Sequence, residues 1–196
     1  MTFRGGGGRG RRGRSDDLDE SHDPAPVDPV EEQKRARDIC YALLAARPRT
    51  RVELKNALLR KEIGEESAEL VLAKFDKAGL INDVEFAEIW VHSRHTYQGL
   101  GRRALATELR RKGVADEVVA EAVAAVDDDA EQERARELVQ KKLRSLDRVD
   151  ETTKIRRLVG ALARKGYAEG MAYRIVKEEL RRAGEEATLL DEAIPE

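Results

Sequence analysis

The chain has 196 residues and a net charge of −2, and 39% of its residues are charged whereas 4% are aromatic. A core built from it must therefore be aliphatic, and its single cysteine excludes an internal disulfide and favours a reducing compartment. No segment approaches the length of a membrane span and the N-terminus has no apolar signal core, so we expect a cytoplasmic protein that contacts no membrane.

The first 33 residues have the composition of a disordered tail. Residues 1–14 contain five arginines, four consecutive glycines and no acid, whereas residues 15–32 contain eight acids, three prolines and no lysine or arginine. Such opposed charge blocks cannot bury enough apolar surface to fold. The Gly/Arg stretch either binds nucleic acid weakly or is a mere extension, and Gly5–Gly8 lacks the strand and helix that flank a phosphate loop.

One heptapeptide pattern recurs three times after the tail. It reads ALLRKEI at Ala57–Ile63, ELRRKGV at Glu108–Val114 and ALARKGY at Ala161–Tyr167, so its starts are 51 and then 53 residues apart. A period of about 50 residues is typical of a repeat architecture. Apolar residues at helical spacing precede and follow each copy, which predicts three helices per repeat.

Helix ends are predicted from local chemistry. Thr50 begins a capping box, and Asp83 and Thr152 are candidates to cap the helices that follow them. Glycine accepts the left-handed conformation that ends a helix. Three periodic segments end in this way, at Gly79, Gly113 and Gly166.

We therefore predict an all-α chain in which three tandem three-helix repeats form an elongated, curved array. The predicted units are a disordered tail at 1–33, repeats at 34–82, 83–128 and 129–184, and a C-terminal tail at 185–196. A repeat array offers an extended surface rather than one deep catalytic cleft.

The residues that could support catalysis or metal binding form no coherent set. His92 and His95 share a helix face but lack further ligands, and Cys40 has no activating base in the sequence. The triplet Asp127–Asp129 cannot place all its carboxylates on one ion, and it suits the start of a helix. Gly99–Gly101 is interpreted as a turn, with a phosphate contact as the alternative. We expect no enzyme activity, metal or cofactor.

Basic residues offer a better functional candidate, because the second helix of each repeat carries them. A solvated helix face is the simpler interpretation, but its recurrence also suits a groove that binds a polyanion. Tyr97 lies near this charge and offers an apolar ring with a polar tip, whereas Phe86 and Trp90 are interpreted as core. The basic residues are Lys55, Arg60 and Lys61, then Arg102, Arg103, Arg110, Arg111 and Lys112, then Lys154, Arg156, Arg157, Arg164 and Lys165.

The central segment resembles the RecX family. The similarity rests on Leu80–Ala87 (LINDVEFA), Val91–Arg94 (VHSR) and Gly101–Val114 (GRRALATELRRKGV), and Leu162–Tyr167 fits the family's closing repeat. It covers about residues 36–182, and the three-helix units of the family agree with the periodicity. One departure is Glu62, which stands where the other copies have glycine, so the middle helix of the first repeat is expected to end differently.

This resemblance implies a non-enzymatic regulator of the RecA recombinase. Such proteins bind the RecA filament on single-stranded DNA and limit its growth, ATP hydrolysis, strand exchange and co-protease activity in the SOS response. We expect a monomer whose partners are the RecA filament and single-stranded DNA. The expected contact residues are Arg94, Tyr97, Arg102, Arg103, Arg110, Arg111 and Lys112, with Lys154, Arg156, Arg157, Arg164 and Lys165 as a second set.

Two other classes of function remain open on the sequence alone. A DNA-binding protein of helix-turn-helix type would show a strong salt dependence of affinity. An α-helical scaffold that binds only protein would tolerate charge reversal at Arg110 and Arg111, whereas the other two classes would not.

Overall fold

A computed structural model describes residues 28–184 of the chain. Within that range the chain forms nine α-helices and no strand, which confirms the predicted fold class. The helices are α1 (Pro29–Ala46), α2 (Arg51–Leu59), α3 (Glu65–Lys77), α4 (Asp83–Gln98), α5 (Arg102–Arg111), α6 (Asp116–Ala124), α7 (Asp128–Leu143), α8 (Glu151–Arg164) and α9 (Glu169–Arg182).

The nine helices form three repeats, each with a core of its own. Repeat 1 comprises α1–α3, repeat 2 comprises α4–α6 and repeat 3 comprises α7–α9, and the helices that pack along their lengths belong to the same repeat. The leucine at the second position of each heptapeptide is buried in the core of its repeat, at Leu58, Leu109 and Leu162. Because no core spans two repeats, the described array differs from a solenoid with a continuous hydrophobic interior.

The N-terminal caps confirm one prediction and correct two. The Thr50 hydroxyl accepts a hydrogen bond from the Glu53 amide at 3.1 Å, as the capping-box pattern predicts. Asn82, rather than Asp83, caps α4. Likewise Asp150, rather than Thr152, caps α8. In both cases another cap-forming residue lies one or two positions earlier, so the sequence contained two candidates for one position.

The C-terminal ends of the middle helices follow the glycine pattern. Gly113 and Gly166 have φ angles of 79° and 84°, and Gly79, which follows α3, has 67°. Glu62 has a φ of 60°, although it is not glycine. The expectation that α2 ends differently is therefore wrong, because Glu62 adopts the same left-handed conformation as the glycines of the later copies.

Several predicted features lie outside the described residues or at their edge. The tail residues 1–27, including Gly5–Gly8, and the C-terminal tail 185–196 are outside them. Helix α1 begins at Pro29, so its first turns occupy positions assigned to the tail. Cys40 packs in the core of repeat 1, and burial raises the pKa of its thiol to about 11. None of the helices between residues 28 and 184 is both long and apolar enough to cross a membrane.

Candidate functional site

The contact between repeats 1 and 2 is polar, and it uses the end of the second heptapeptide. The Thr50 hydroxyl donates to the Lys112 carbonyl oxygen at 2.6 Å, and the Lys112 ammonium donates to the Glu53 carboxylate at 2.7 Å. Burial opposes ionisation of Glu53, but the hydrogen bond and charge of Lys112 lower its pKa. Gly113 follows, and a Cβ there would lie 2.4 Å from the Cβ of Val52. Only glycine lets α5 end so close to α2.

The contact between repeats 2 and 3 has the same design. The Gly101 amide donates to the Lys165 carbonyl oxygen at 2.8 Å, and the Tyr167 hydroxyl donates to the Gly99 carbonyl oxygen at 3.1 Å. A Cβ on Gly166 would lie 2.3 Å from the backbone nitrogen of Ala104. In both contacts, therefore, the Lys-Gly pair ending one middle helix docks on the N-terminus of the preceding middle helix.

An acidic residue at one position in α4 and α7 completes both contacts. Asp83 accepts a hydrogen bond from the Arg51 amide at 3.0 Å, and Glu131 accepts one from the Arg102 amide at 2.8 Å. Each acid lies four residues before a fully buried alanine, which identifies the positions as equivalent. The corresponding Glu32 belongs to the first repeat of the described residues, and it instead accepts from the Gly64 amide at 2.9 Å.

Arg102, a predicted contact residue, is held inside the second contact. Its guanidinium donates to the Glu131 carboxylate at 2.7 Å and also pairs with Asp128. Burial opposes the charge, but these carboxylates raise the pKa of Arg102. The amides of Gly101 and Arg102 are both occupied by protein oxygens, so the alternative of a phosphate at this helix N-terminus is wrong.

Lys112 and Arg94 both lie against the indole of Trp90. The Lys112 nitrogen and the Arg94 guanidinium carbon each lie 4.2 Å from the centroid of the indole. The indole nitrogen donates to the Glu108 carboxylate at 2.8 Å, and Arg94 lies 3.4 Å from the same carboxylate. The two cations on one indole form a local cation–π cluster, in which the indole and Arg94 share the Glu108 carboxylate. Trp90 is half-buried rather than fully enclosed, whereas Phe86 is buried as predicted.

Arg103, Arg111 and Arg164 converge in an open groove between α5 and α8. The groove has a volume of about 710 Å³, and its apolar wall includes Ala104 and Val159. All three arginines are exposed, and none of them makes an ion pair within residues 28–184. We call this surface the arginine groove. It brings together cations from two neighbouring repeats.

The other predicted basic residues are divided between exposed and structural positions. Arg110 is exposed and pairs with Asp116 at 2.6 Å. Arg156 and Arg157 are also exposed, on the surface of α8. Lys154 is buried. Lys165 donates to the Gln98 carbonyl oxygen in the second contact.

Tyr97 lies away from the arginine groove, at the rim of a second groove. This Tyr97 groove has a volume of about 850 Å³ and runs between the end of α4 and helices α7 and α8. The Tyr97 side chain is 79% exposed. Lys141 and Lys142 line the same groove. The sequence-based prediction missed both, because it followed the basic residues of the second helix of each repeat and these two end a first helix, α7.

The histidines form no metal site in the described part of the chain. His95 places its Nδ1 atom 2.9 Å from the Leu100 carbonyl oxygen at the end of α4, whereas His92 is exposed. The triplet Asp127–Asp129 begins α7, with Asp127 as its cap. Within residues 28–184 no group of three potential ligands is close enough to hold an ion.

Family models for three-helix domains of RecX match all three repeats. The first three-helix domain matches residues 36–75, the second 82–123 and the third 129–176. The matched ranges fall within the three units that the helices form.

Curated relatives cover most of the chain. A regulatory protein RecX of Amycolatopsis mediterranei is 58% identical over 171 residues, which are 87% of this chain and 98% of the relative. A regulatory protein RecX of Streptomyces coelicolor is 52% identical over 161 residues, covering 82% of this chain and 84% of the relative. A RecX crystal structure from Lactobacillus salivarius shares the fold, with a TM-score of 0.70 and 21% identity over 76% of this chain and 97% of that one. The resemblance seen in the sequence is confirmed, and the chain belongs to the RecX family of regulatory proteins.

Proposed function

We propose that this chain regulates RecA by binding its filament on single-stranded DNA, where it limits filament growth, ATP hydrolysis, strand exchange and co-protease activity. It acts in this role as a binding protein, without catalysis of its own. Membership of a regulatory family supports the proposal, and so does the array of three small repeats, because several weak contacts on one polymer add through effective concentration.

The arginine groove is the observation that carries the proposal. Arg103, Arg111 and Arg164 leave their charges open to an acidic partner, since no carboxylate of residues 28–184 pairs with them. Two acids also line the groove: Glu108 is engaged by Trp90 and Arg94, and the exposed Glu169 forms no ion pair with any of the three arginines. We therefore place the main contact with the filament at this groove.

The remaining basic residues have separate roles in this proposal. Arg110, Arg156 and Arg157 are exposed and extend the basic surface outside the groove. Arg102, Lys112 and Lys165 hold the repeats together, so their replacement would change the array as well as any contact. A functional test must therefore leave these three residues intact.

The test is single-strand-dependent ATP hydrolysis by the cognate RecA, titrated with the full chain. We expect inhibition at micromolar concentration, and a weaker effect when Arg103, Arg111 and Arg164 are replaced by glutamine. If each arginine contributes about 0.5–1 kcal/mol in a partly exposed pair, the half-inhibitory concentration rises about tenfold or more.

A matched control removes three exposed cations of repeat 1, with Arg60, Lys74 and Lys77 changed to glutamine. It should inhibit as the unmodified chain does. An unmodified chain that leaves ATP hydrolysis unchanged would refute the proposed function. Equal inhibition by the groove variant and the control would refute the placement at the arginine groove.

A further inference from the structure

We infer that the Tyr97 groove binds single-stranded nucleic acid, with a base stacked on Tyr97 and phosphates held by Lys141 and Lys142. This inference deepens the proposed function, because it assigns the strand to one groove and leaves the arginine groove to the protein partner. The two grooves lie on different faces of α8.

Charge is the first argument for an anionic ligand. Lys141 and Lys142 line the groove and make no ion pair within the described residues. The acid of this lining, Glu137, is paired with Arg134. The groove thus offers uncompensated positive charge, which attracts a phosphate backbone.

The exposed ring is the second argument, and it selects a single strand over a duplex. Tyr97 leaves its side chain largely in solvent at the rim, although an aromatic ring in an aliphatic protein would gain by burial. Proteins that bind single strands combine a basic groove with aromatic rings on which bases stack. In a duplex the bases are stacked on each other, so the faces that Tyr97 needs are covered.

The floor of the groove fits this ligand as well. Half-buried Leu138 and Ala161 form an apolar surface beneath the rim, on which the edge of a stacked base can rest. Lys165 and Arg134 also line the groove, but both donate to backbone oxygens of the α4 end, namely those of Gln98 and Thr96. They fix the groove across the contact between repeats 2 and 3 rather than serving as free cations.

The experiment measures binding of a fluorescently labelled oligothymidine of about 20 nucleotides to the full chain, by anisotropy and without RecA. Tyr97→Ala should weaken binding by at least about fivefold, as loss of one stacked base does. Tyr97→Phe should bind as the unmodified chain does. The side chain is exposed, so both variants should keep their helicity and melting temperature.

Salt dependence separates the lysines from the ring. Replacing Lys141 and Lys142 by glutamine should make the slope of log affinity against log salt shallower by about 1.4, because each single-strand phosphate contact contributes about 0.7. Tyr97→Ala should leave that slope unchanged. Two double variants serve as controls and should bind as the unmodified chain does, namely Lys74→Gln with Lys77→Gln, and Arg103→Gln with Arg111→Gln.

Three results would overturn the inference. One is undiminished strand binding by the Tyr97→Ala and lysine variants, and another is loss of binding only in the arginine variant. The third comes from competition with polyglutamate. If polyglutamate displaces the strand from the unmodified chain and from Tyr97→Ala at the same concentration, the groove binds an acidic protein. If the chain inhibits RecA but fails these tests, the proposed function stands and the strand-binding inference is wrong. If the chain binds the strand as expected but does not inhibit RecA, the inference stands and the proposed function is wrong.

Discussion

Gly166→Ala should destabilise the protein more than Gly79→Ala, although both glycines have positive φ angles. The left-handed conformation costs a residue with a side chain about 1–2 kcal/mol, and both variants lose this amount. A Cβ on Gly79 meets no atom within 4 Å, whereas one on Gly166 would lie 2.3 Å from the Ala104 nitrogen. The methyl group must therefore push the end of α8 away from α5.

This displacement breaks the second inter-repeat contact. The bond from the Gly101 amide to Lys165 and that from Tyr167 to Gly99 would both lengthen beyond useful range. Two hydrogen bonds at about 0.5–1.5 kcal/mol each add about 1–3 kcal/mol. We therefore expect a loss of about 2–5 kcal/mol for Gly166→Ala and about 1–2 kcal/mol for Gly79→Ala.

Urea denaturation followed by circular dichroism at 222 nm measures both losses. Because each repeat has its own core, a loosened contact should also let repeat 3 unfold separately from the others. The Gly166→Ala transition should then become broader, with a lower apparent m-value, whereas that of Gly79→Ala should only shift. Losses equal within about 0.5 kcal/mol, with unchanged breadth, would refute the reasoning that glycine is required there by close approach.

Two further substitutions test the first repeat and its contact. Glu62→Gly should raise the free energy of unfolding by about 0.5–1 kcal/mol, because relief of left-handed strain exceeds the added freedom of the unfolded chain; a denaturation midpoint below that of the unmodified protein would contradict this. Burial raises the pKa of the Asp83 carboxyl, so its ionised form costs stability above the folded pKa and that cost disappears as the pH falls. At pH 7 the free energy of unfolding of Asp83→Asn should therefore equal or exceed that of the unmodified protein, and it should rise less as the pH is lowered. A much lower free energy of unfolding for the variant at pH 7 would contradict this.

Local signals predicted the helices and their ends because the causes are local. The period of Leu54 and Leu58 places both on one face of α2, and the side-chain cap of Thr50 fixes where that helix begins. A glycine after a basic residue is enough to predict a left-handed turn. The same logic explains the wrong expectation for Glu62. That position needs only an unusual φ, since no repeat within residues 28–184 precedes it, whereas Gly113 also needs space beside Val52.

Contacts between repeats could not be predicted from charge, because the partners are far apart in sequence. Glu53 and Lys112 are separated by 59 residues, and Arg102 and Glu131 by 29. From the sequence alone, a basic residue at the end of a helix is expected to be exposed to solvent, because its distant partner is not evident. One usable signal was present, since Asp83 and Glu131 each lie four residues before a buried alanine of the first helix.

Repeats 1 and 3 differ from repeat 2 at the positions that the contacts between repeats use. Helix α8 has 14 residues, whereas α5 has 10, and the added turn lies at its N-terminus. The start of α8 therefore differs from the starts of α2 and α5, on which the Lys-Gly pairs dock. In repeat 1, Glu62 places a side chain where docking requires glycine.

The Arg-Lys pair of the heptapeptide should separate binding from stability, because its two members face different surroundings. Arg164 is exposed in the arginine groove, whereas Lys165 donates to Gln98 across the second contact. Arg164→Gln should keep the melting temperature within about 1 °C and weaken RecA inhibition, since an exposed substitution changes stability little.

Lys165→Met should have the opposite profile. It removes a hydrogen bond from a charged donor, worth about 1.5–3 kcal/mol, and lowers the melting temperature by several degrees. The same contrast should hold for Arg111→Gln and Lys112→Met, because Lys112 bonds Glu53 in the first contact while Arg111 lines the groove. If the arginine and lysine variants of a pair lowered the melting temperature equally, both residues would serve only to stabilise the array. Opposite profiles in both pairs would show that adjacent charges hold the repeats together and bind the partner.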